Sequence, residues 1–141
     1  MILVSACLLG INCRYDGGNN LNEKVLKLFL EGKAIPVCPE QLGGLSTPRV
    51  PAEIIGDKVL DKNGKDVTAN FEKGALETMR IARLLKCEVA ILKENSPSCG
   101  VHYVYDGTFS NKKIEGMGKT CELLIKNGIK VYSENEIKKT T

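Results

Sequence analysis

Cys7, Cys38 and Cys99 each stand among turn-forming residues at the end of an apolar run: "VSACLLG" (4–10), "PVCPEQLGG" (36–44) and "ILKENSPSCG" (91–100). Three thiols have few collective uses. A structural zinc site takes four ligands. A dithiol redox site usually carries Cys-x-x-Cys, which is absent here. The closely spaced cysteine run of a ferredoxin is absent too. Three thiolates on a [4Fe–4S] cluster leave one iron without a protein ligand, and an open iron accepts a soft donor such as sulfur. The ordinary account of a free cysteine is core packing. It serves for each of the three alone, but Gly10, Pro39, Pro97 and Gly100 weigh against it for the set.

The chain holds six cysteines, many for a reducing compartment, where a disulfide framework is not expected. Cys87 opens an apolar run and Cys121 lies on the apolar face of a helical pattern, so both read as core. Cys13, in "NCRYDGG", is a second-tier metal ligand near Cys7.

The elements that must carry these thiols follow from periodicity. Residues 1–6, 33–39, 87–93 and 129–133 read as buried strands. Pro36 limits the second of them. Residues 21–32 read as a helix with Leu21, Val25, Leu28 and Phe29 on one face, capped by Asn19 or Asn20. A long helix begins at Thr68, read as its cap, with Phe71, Ala75, Met79, Ala82 and Leu85 inward. Residues 119–128 form another, stopped by Asn127-Gly128. Asn63-Gly64 within 58–67 signals a small β-hairpin. Residues 40–53 and 101–118 read as irregular, and a short polar helix finishes the chain.

Strands alternating with helices imply an α/β fold: one Rossmann-like, three-layer domain over residues 1–141. Its mainly parallel four-stranded sheet takes the order 2-1-3-4. In that order the first three strands are neighbours, and Cys7, Cys38 and Cys99 meet at their carboxyl ends, where such folds bind ligands.

Composition excludes several classes. Hydrophobic residues make up 43% and charged residues 26%, ordinary for a globular protein. No apolar run reaches membrane-span length, and "MILVSACLLG" lacks the basic start of a signal peptide. A cytoplasmic protein without membrane contact is expected. The net charge of +3 is spread over 20 basic and 17 acidic residues, too weak for a nucleic-acid footprint. The "NKK" (111–113) and "IKKTT" (137–141) clusters read as solvated charge. Neither G-x-G-x-x-G nor a P-loop is present, which disfavours a nucleotide-binding module.

"SACLLGINCRYDG", "PVCPEQLGGLSTPR", "ILKENSPSCG" and "YDGTF" together resemble the signatures of a bacterial and archaeal family that includes the thiouracil desulfidases. The resemblance runs from about residue 4 to residue 118. It implies non-redox, hydrolytic removal of sulfur from a thiolated pyrimidine such as 2-thiouracil. It also implies a [4Fe–4S] cluster held by Cys7, Cys38 and Cys99, with Cys13 competing with Cys7 as the first ligand. An acidic residue of the family matches Glu40 and a serine matches Ser98.

Carbon–sulfur hydrolysis needs an activated water, and Glu40 is the best placed base, with Ser98 positioning it or the water. Elsewhere a loop glutamate is ordinary solvated charge, and a serine after proline an ordinary turn residue. Ser46, Thr47, Arg49, Arg14, Asp16, Asn95 and Ser96 are candidates to read a pyrimidine, whose amide-like edges match such side chains. Arg14 and Asp16 serve equally as a loop-ordering pair. His102 is expected at the surface; Tyr103, Tyr105 and Phe109 either wall the pocket or pack, with packing the preferred account. The expected partners are a small thiolated base and, transiently, the cluster-assembly machinery. The alternative is a non-catalytic carrier of metal, iron–sulfur cluster or sulfur.

Overall fold

A computed structural model describes residues 1–139; the side chains of Lys138 and Lys139 and the rest of the terminal basic cluster lie outside the described residues. Four parallel strands form the central sheet: β1 (Ile2–Ser5), β2 (Ala34–Val37), β5 (Val89–Leu92) and β8 (Lys130–Ser133). Their order is β2-β1-β5-β8, the expected 2-1-3-4. Pro36 sits within β2, opposite Val4. An edge strand tolerates it because one side of its backbone has no ladder to complete.

Alternation along the strands buries both faces. Leu3, Ala90 and Leu92 pack against Met79 and Ala82 of α3 (Thr68–Leu84) and against Cys121 and Leu124 of α4 (Lys119–Lys126). Val4, Ala34 and Ile91 face the other way, onto Val25 and Leu28 of α1 (Glu23–Leu30) and onto Ile137. Ile137 belongs to the closing 3₁₀ segment Glu134–Lys139. Helices thus cover both sides of a parallel sheet. Among the described residues no helix is long and apolar enough to cross a membrane.

Several local expectations change. Helix α1 is capped by Asn22, whose side chain accepts the amides of Lys24 and Val25, and not by Asn19 or Asn20. Leu21 precedes the helix and is exposed, as is Phe29. Thr68 is the first residue of α3, not its cap; its hydroxyl accepts the Val59 amide. Leu85 caps the other end and is exposed. The Asn63-Gly64 turn is present: residues 65–67 return antiparallel to β4 (Lys58–Asp61), with Leu60 bridged to Asp66, the Asp61 amide donating to the Lys65 carbonyl (2.8 Å) and the Val67 amide to that of Val59 (2.9 Å). The longer pairing of β4 lies on its other side, with β3 (Ala52–Ile55) around Gly56-Asp57. Residues 101–118 hold a second antiparallel pair, β6 (Tyr103–Tyr105) with β7 (Lys113–Glu115). Three-residue strands are too short to show a period in sequence.

The stretch read as irregular after Cys38 begins with one helical turn, α2 (Pro39–Leu42). It packs on α3 with almost no gap. A Cβ on Gly74 would lie 2.0 Å from the Pro39 carbonyl oxygen, and one on Gly43 2.0 Å from that of Asn70. Backbone atoms cannot yield cheaply, so Gly74→Ala must push α2 off α3. The expected cost is about 3 kcal/mol or more, lowering the melting temperature by roughly 10 °C. Thermal unfolding checks this, and an unaltered melting temperature would refute so close an approach.

Candidate functional site

Three strand ends supply three thiols. Cys7 follows β1 inside a 3₁₀ turn (Ala6–Leu9). Cys38 follows β2 and is the N-cap of α2, with Pro39 in the first turn, where its fixed φ suits a helix start. Cys99 follows β5 in a compact turn. Asn95 there adopts a left-handed conformation (φ 72°), which asparagine tolerates. The Ser96 hydroxyl then accepts the amides of Ser98 (3.1 Å) and Cys99 (3.0 Å). Gly100 closes the turn through its amide to the Ser96 carbonyl (2.8 Å). A Cβ on Gly100 would stand 2.6 Å from the Tyr103 carbonyl oxygen, so only glycine fits. The unusual composition of "SPSCG" is therefore the composition of this turn.

Cys7, Cys13, Cys38 and Cys99 all line one cavity of about 490 Å³ at the carboxyl edge of the sheet. The β1 and β5 ends are tied beneath it: the Ser5 hydroxyl accepts the Lys93 amide at 2.9 Å. Cys13 is buried, its pKa raised by hydrogen bonding to Cys38 and Cys7 and further by burial. The same bond holds the Cys38 thiol down to about 7; burial opposes it and the Gln41 amide of α2 assists. Cys7 is lowered by its bond from Cys13, against burial. Cys99 is raised by burial.

Glu40 and Ser98, from segments far apart in the chain, meet at the cavity. The Ser98 hydroxyl donates to Glu40 Oε2 at 2.9 Å, and Ser96 Oγ lies 2.9 Å from Ser98 Oγ. Arg49 Nε donates to Glu40 Oε1 at 3.0 Å. The two side chains are 8% and 15% exposed, so the pair is largely desolvated. Arg49 also donates to the Cys13 carbonyl (2.8 Å), the Ser46 carbonyl (3.1 Å) and Thr47 Oγ1 (2.9 Å). Arg49→Met would leave the Glu40 carboxylate without its cation and free three acceptors. A loss of roughly 3 kcal/mol is expected in urea unfolding. A midpoint within error of wild type would show that the pair contributes nothing net.

The predicted base-reading residues divide. Arg14, Arg49, Asn95 and Ser96 line the cavity, as do Glu40 and Ser98. Ser46, Thr47 and Asp16 do not. Ser46 and Thr47 lie behind Arg49 and hold it. Asp16 is exposed and pairs with Arg14 at 3.1 Å, while Arg14 also donates to Asn20 Oδ1 at 3.0 Å, so this pair orders the loop. Of the three aromatics weighed between walling the pocket and packing, Tyr105 and Phe109 form part of the wall, whereas Tyr103 is exposed. His102 is at the surface, its Nε2 2.6 Å from Glu136 Oε1. Cys87 and Cys121 are core.

Sequence reasoning passed over Lys93, Glu94, Glu53 and Lys62, which line the cavity as well. Lys93 and Glu94 stand inside the "ILKENSPSCG" stretch, so position alone offered a signal. Glu53 and Lys62 offered none, because hairpin β3–β4 reaches the site only through tertiary packing.

Three comparisons bear on this arrangement. The family model of 2-thiouracil desulfurase matches residues 2–136. An uncharacterised Bacillus subtilis (strain 168) protein, YbbK, is 50% identical over 147 aligned positions, covering 97% of each chain. A solved structure described as the [4Fe-4S]-dependent thiouracil desulfidase TudS superposes with a TM-score of 0.94 at 44% identity, over 98% of this chain and 93% of that one. The match runs through all the strand ends and turns that build the cavity, and the chain belongs to the 2-thiouracil desulfurase family.

Proposed function

We propose that the protein is a [4Fe–4S]-dependent desulfidase that hydrolyses the carbon–sulfur bond of a thiolated pyrimidine such as 2-thiouracil, releasing sulfide. The observation that carries this reading is one cavity lined by thiols from three strand ends and by the Glu40–Ser98 pair. Family membership and the likeness to TudS support it.

The donor set suits an iron–sulfur group. Thiols are soft ligands, and cations (Arg14, Arg49, Lys62, Lys93) stand beside carboxylates (Glu40, Glu53, Glu94) in the lining of the same cavity. Among the described residues no three His, Cys, Asp or Glu side chains stand at the spacing of ligands around one metal ion. A polynuclear cluster spans a wider gap than a single ion. Cys7, Cys38 and Cys99 would hold it, with Cys13 lining the same cavity. When bound, such a cluster supplies a soft Lewis acid that stabilises departing sulfide.

The chain's own groups supply the rest. Glu40 Oε2 accepts a proton from the water that attacks the thiocarbonyl carbon. Ser98 Oγ, already donating to that oxygen, orients it and the water. Arg49 fixes Oε1, so the base presents one oxygen to the cavity. Tyr105 and Phe109 supply aromatic surface to the same cavity wall. The overall change is thiocarbonyl and water to carbonyl and hydrogen sulfide, with no electrons exchanged.

Anaerobically reconstituted protein is expected to release one sulfide per 2-thiouracil consumed without added reductant or oxidant. In ¹⁸O-water the product uracil should carry one labelled oxygen. Cluster-loaded protein inert on every thiolated pyrimidine tried would overturn the reading.

A further inference from the structure

Glu94 is a buried carboxylate, 7% exposed, at the point where the chain leaves β5. Its Oε1 accepts the amides of Val101 (2.7 Å), His102 (2.8 Å) and Tyr103 (3.1 Å), with that of Asn95 at 3.4 Å. Among the described residues, its carboxylate partners are backbone amides alone. The nearby ammonium of Lys93 is engaged elsewhere, with the Glu94 carbonyl (2.9 Å) and Glu134 Oε2 (3.1 Å). A buried carboxylate with no cation is costly unless amides replace its water. Here they do, and every one of them belongs to the two flanks of a single turn.

That turn carries Ser96, Ser98 and Cys99. Its far side is held by α4. The amides of Thr120 (2.9 Å) and Cys121 (3.2 Å) donate to the Ser98 carbonyl, and that of Lys119 to the Pro97 carbonyl (2.9 Å). A Cβ on Gly118 would lie 2.4 Å from the Ser98 carbonyl carbon, so α4 abuts the turn directly. The middle of the turn thus rests on α4, and its two ends are drawn together by Glu94. Charge-assisted bonds of this kind are stronger than neutral ones, and three converging on one oxygen fix the return path of the chain.

We propose that Glu94 is a positioning residue: its carboxylate gathers residues 95 and 101–103 so that Ser98 and Cys99 are held toward Glu40 and the other thiols. This rests on the desulfidase reading for its purpose, but the clamp itself can be read without it. Glu94→Gln preserves shape and leaves a neutral oxygen, which holds three amides poorly.

In metal-free Glu94→Gln, hydrogen exchange at Val101, His102 and Tyr103 should speed up by about tenfold or more. Sheet amides of Leu3 and Ala90 should keep wild-type rates. Alkylation of Cys99 should accelerate by a similar factor, and that of Cys121, buried in α4, should not. In loaded enzyme, kcat should fall about tenfold and KM should change by less, because the turn aims Ser98 at Glu40 besides carrying Asn95 and Ser96 along the cavity wall. Unchanged exchange at the three amides, unchanged Cys99 alkylation, or unchanged kcat would each overturn the proposal. A second measurement needs no variant. In wild-type protein the three amides should exchange far more slowly than those of an exposed loop, and loop-like rates would overturn the clamp even if Glu94→Gln failed to fold. If loaded wild-type protein released no sulfide, the desulfidase reading would fail while the clamp stood or fell on the metal-free data.

Discussion

Cys99→Ser is expected to fold, to retain little iron after anaerobic reconstitution and to release no sulfide from 2-thiouracil. The Cys99 side chain is 4% exposed and held in a turn whose backbone bonds do not involve its sulfur. Serine is smaller and fits that space, and the neighbouring Ser98 hydroxyl, 3.7 Å from the sulfur, remains as a partner. What changes is softness: an alcohol oxygen is a poor ligand for iron–sulfur centres, where thiolate is preferred. Loss is therefore expected in iron content and in the visible charge-transfer absorbance, not in melting temperature. Cys7→Ser and Cys38→Ser should behave alike. Cys13→Ser should keep most of its iron, because Cys13 stands outside the proposed ligand set. Cys121→Ser should be indistinguishable from wild type in iron, since that thiol is sealed between α4 and the sheet. Full iron retention by Cys99→Ser would remove this thiol from the ligand set and with it the proposed centre.

Glu40→Gln should lower kcat by about a hundredfold to ten-thousandfold with iron content unchanged, as expected for loss of a general base. The substitution conserves shape. Arg49 keeps its bonds to the Cys13 carbonyl, the Ser46 carbonyl and Thr47, so the cavity wall should survive. The glutamine oxygen can still accept from Ser98, but it cannot take a proton from water. KM should change little, since Glu40 is assigned to the attacking water and not to the pyrimidine edge. Steady-state sulfide release, with iron analysis on the same sample, separates the effects. This variant also divides the enzyme from the alternative of a cluster or sulfur carrier. A carrier would transfer its cargo equally well with glutamine at position 40, and an undiminished kcat would dismiss Glu40 as the base.

Much of this architecture was legible in the chain. Apolar runs at 1–6, 87–93 and 129–133, with helices between, specified a parallel sheet and its order, because periodicity and right-handed crossover are local or near-local rules. The turn residues around Cys7, Cys38 and Cys99 marked them as strand-end residues for the same reason. Less legible were short pieces. The one-turn helix at Pro39–Leu42 and strands Tyr103–Tyr105 and Lys113–Glu115 are too brief to carry a period. Asn63-Gly64 turns residues 65–67 back onto β4 as its local preference predicts, but the longer pairing of β4 with Ala52–Ile55 was not read from the chain.

Fold class, strand order and the thiols that stand at strand ends were readable from the chain, since each depends on neighbours within a few residues or on chain handedness. What those ends meet follows only from folding in three dimensions. Glu40 and Ser98 are 58 positions apart, yet one hydroxyl joins them. Arg49, a candidate to read substrate, is bonded to Glu40 and the Cys13 carbonyl. Glu53 and Lys62 reach the cavity on a hairpin with no chemical signature. Glu94 owes its burial to amides that the chain brings back to it. Side-chain partnership is a property of distance in space, and a linear string carries that only where the backbone itself fixes the path.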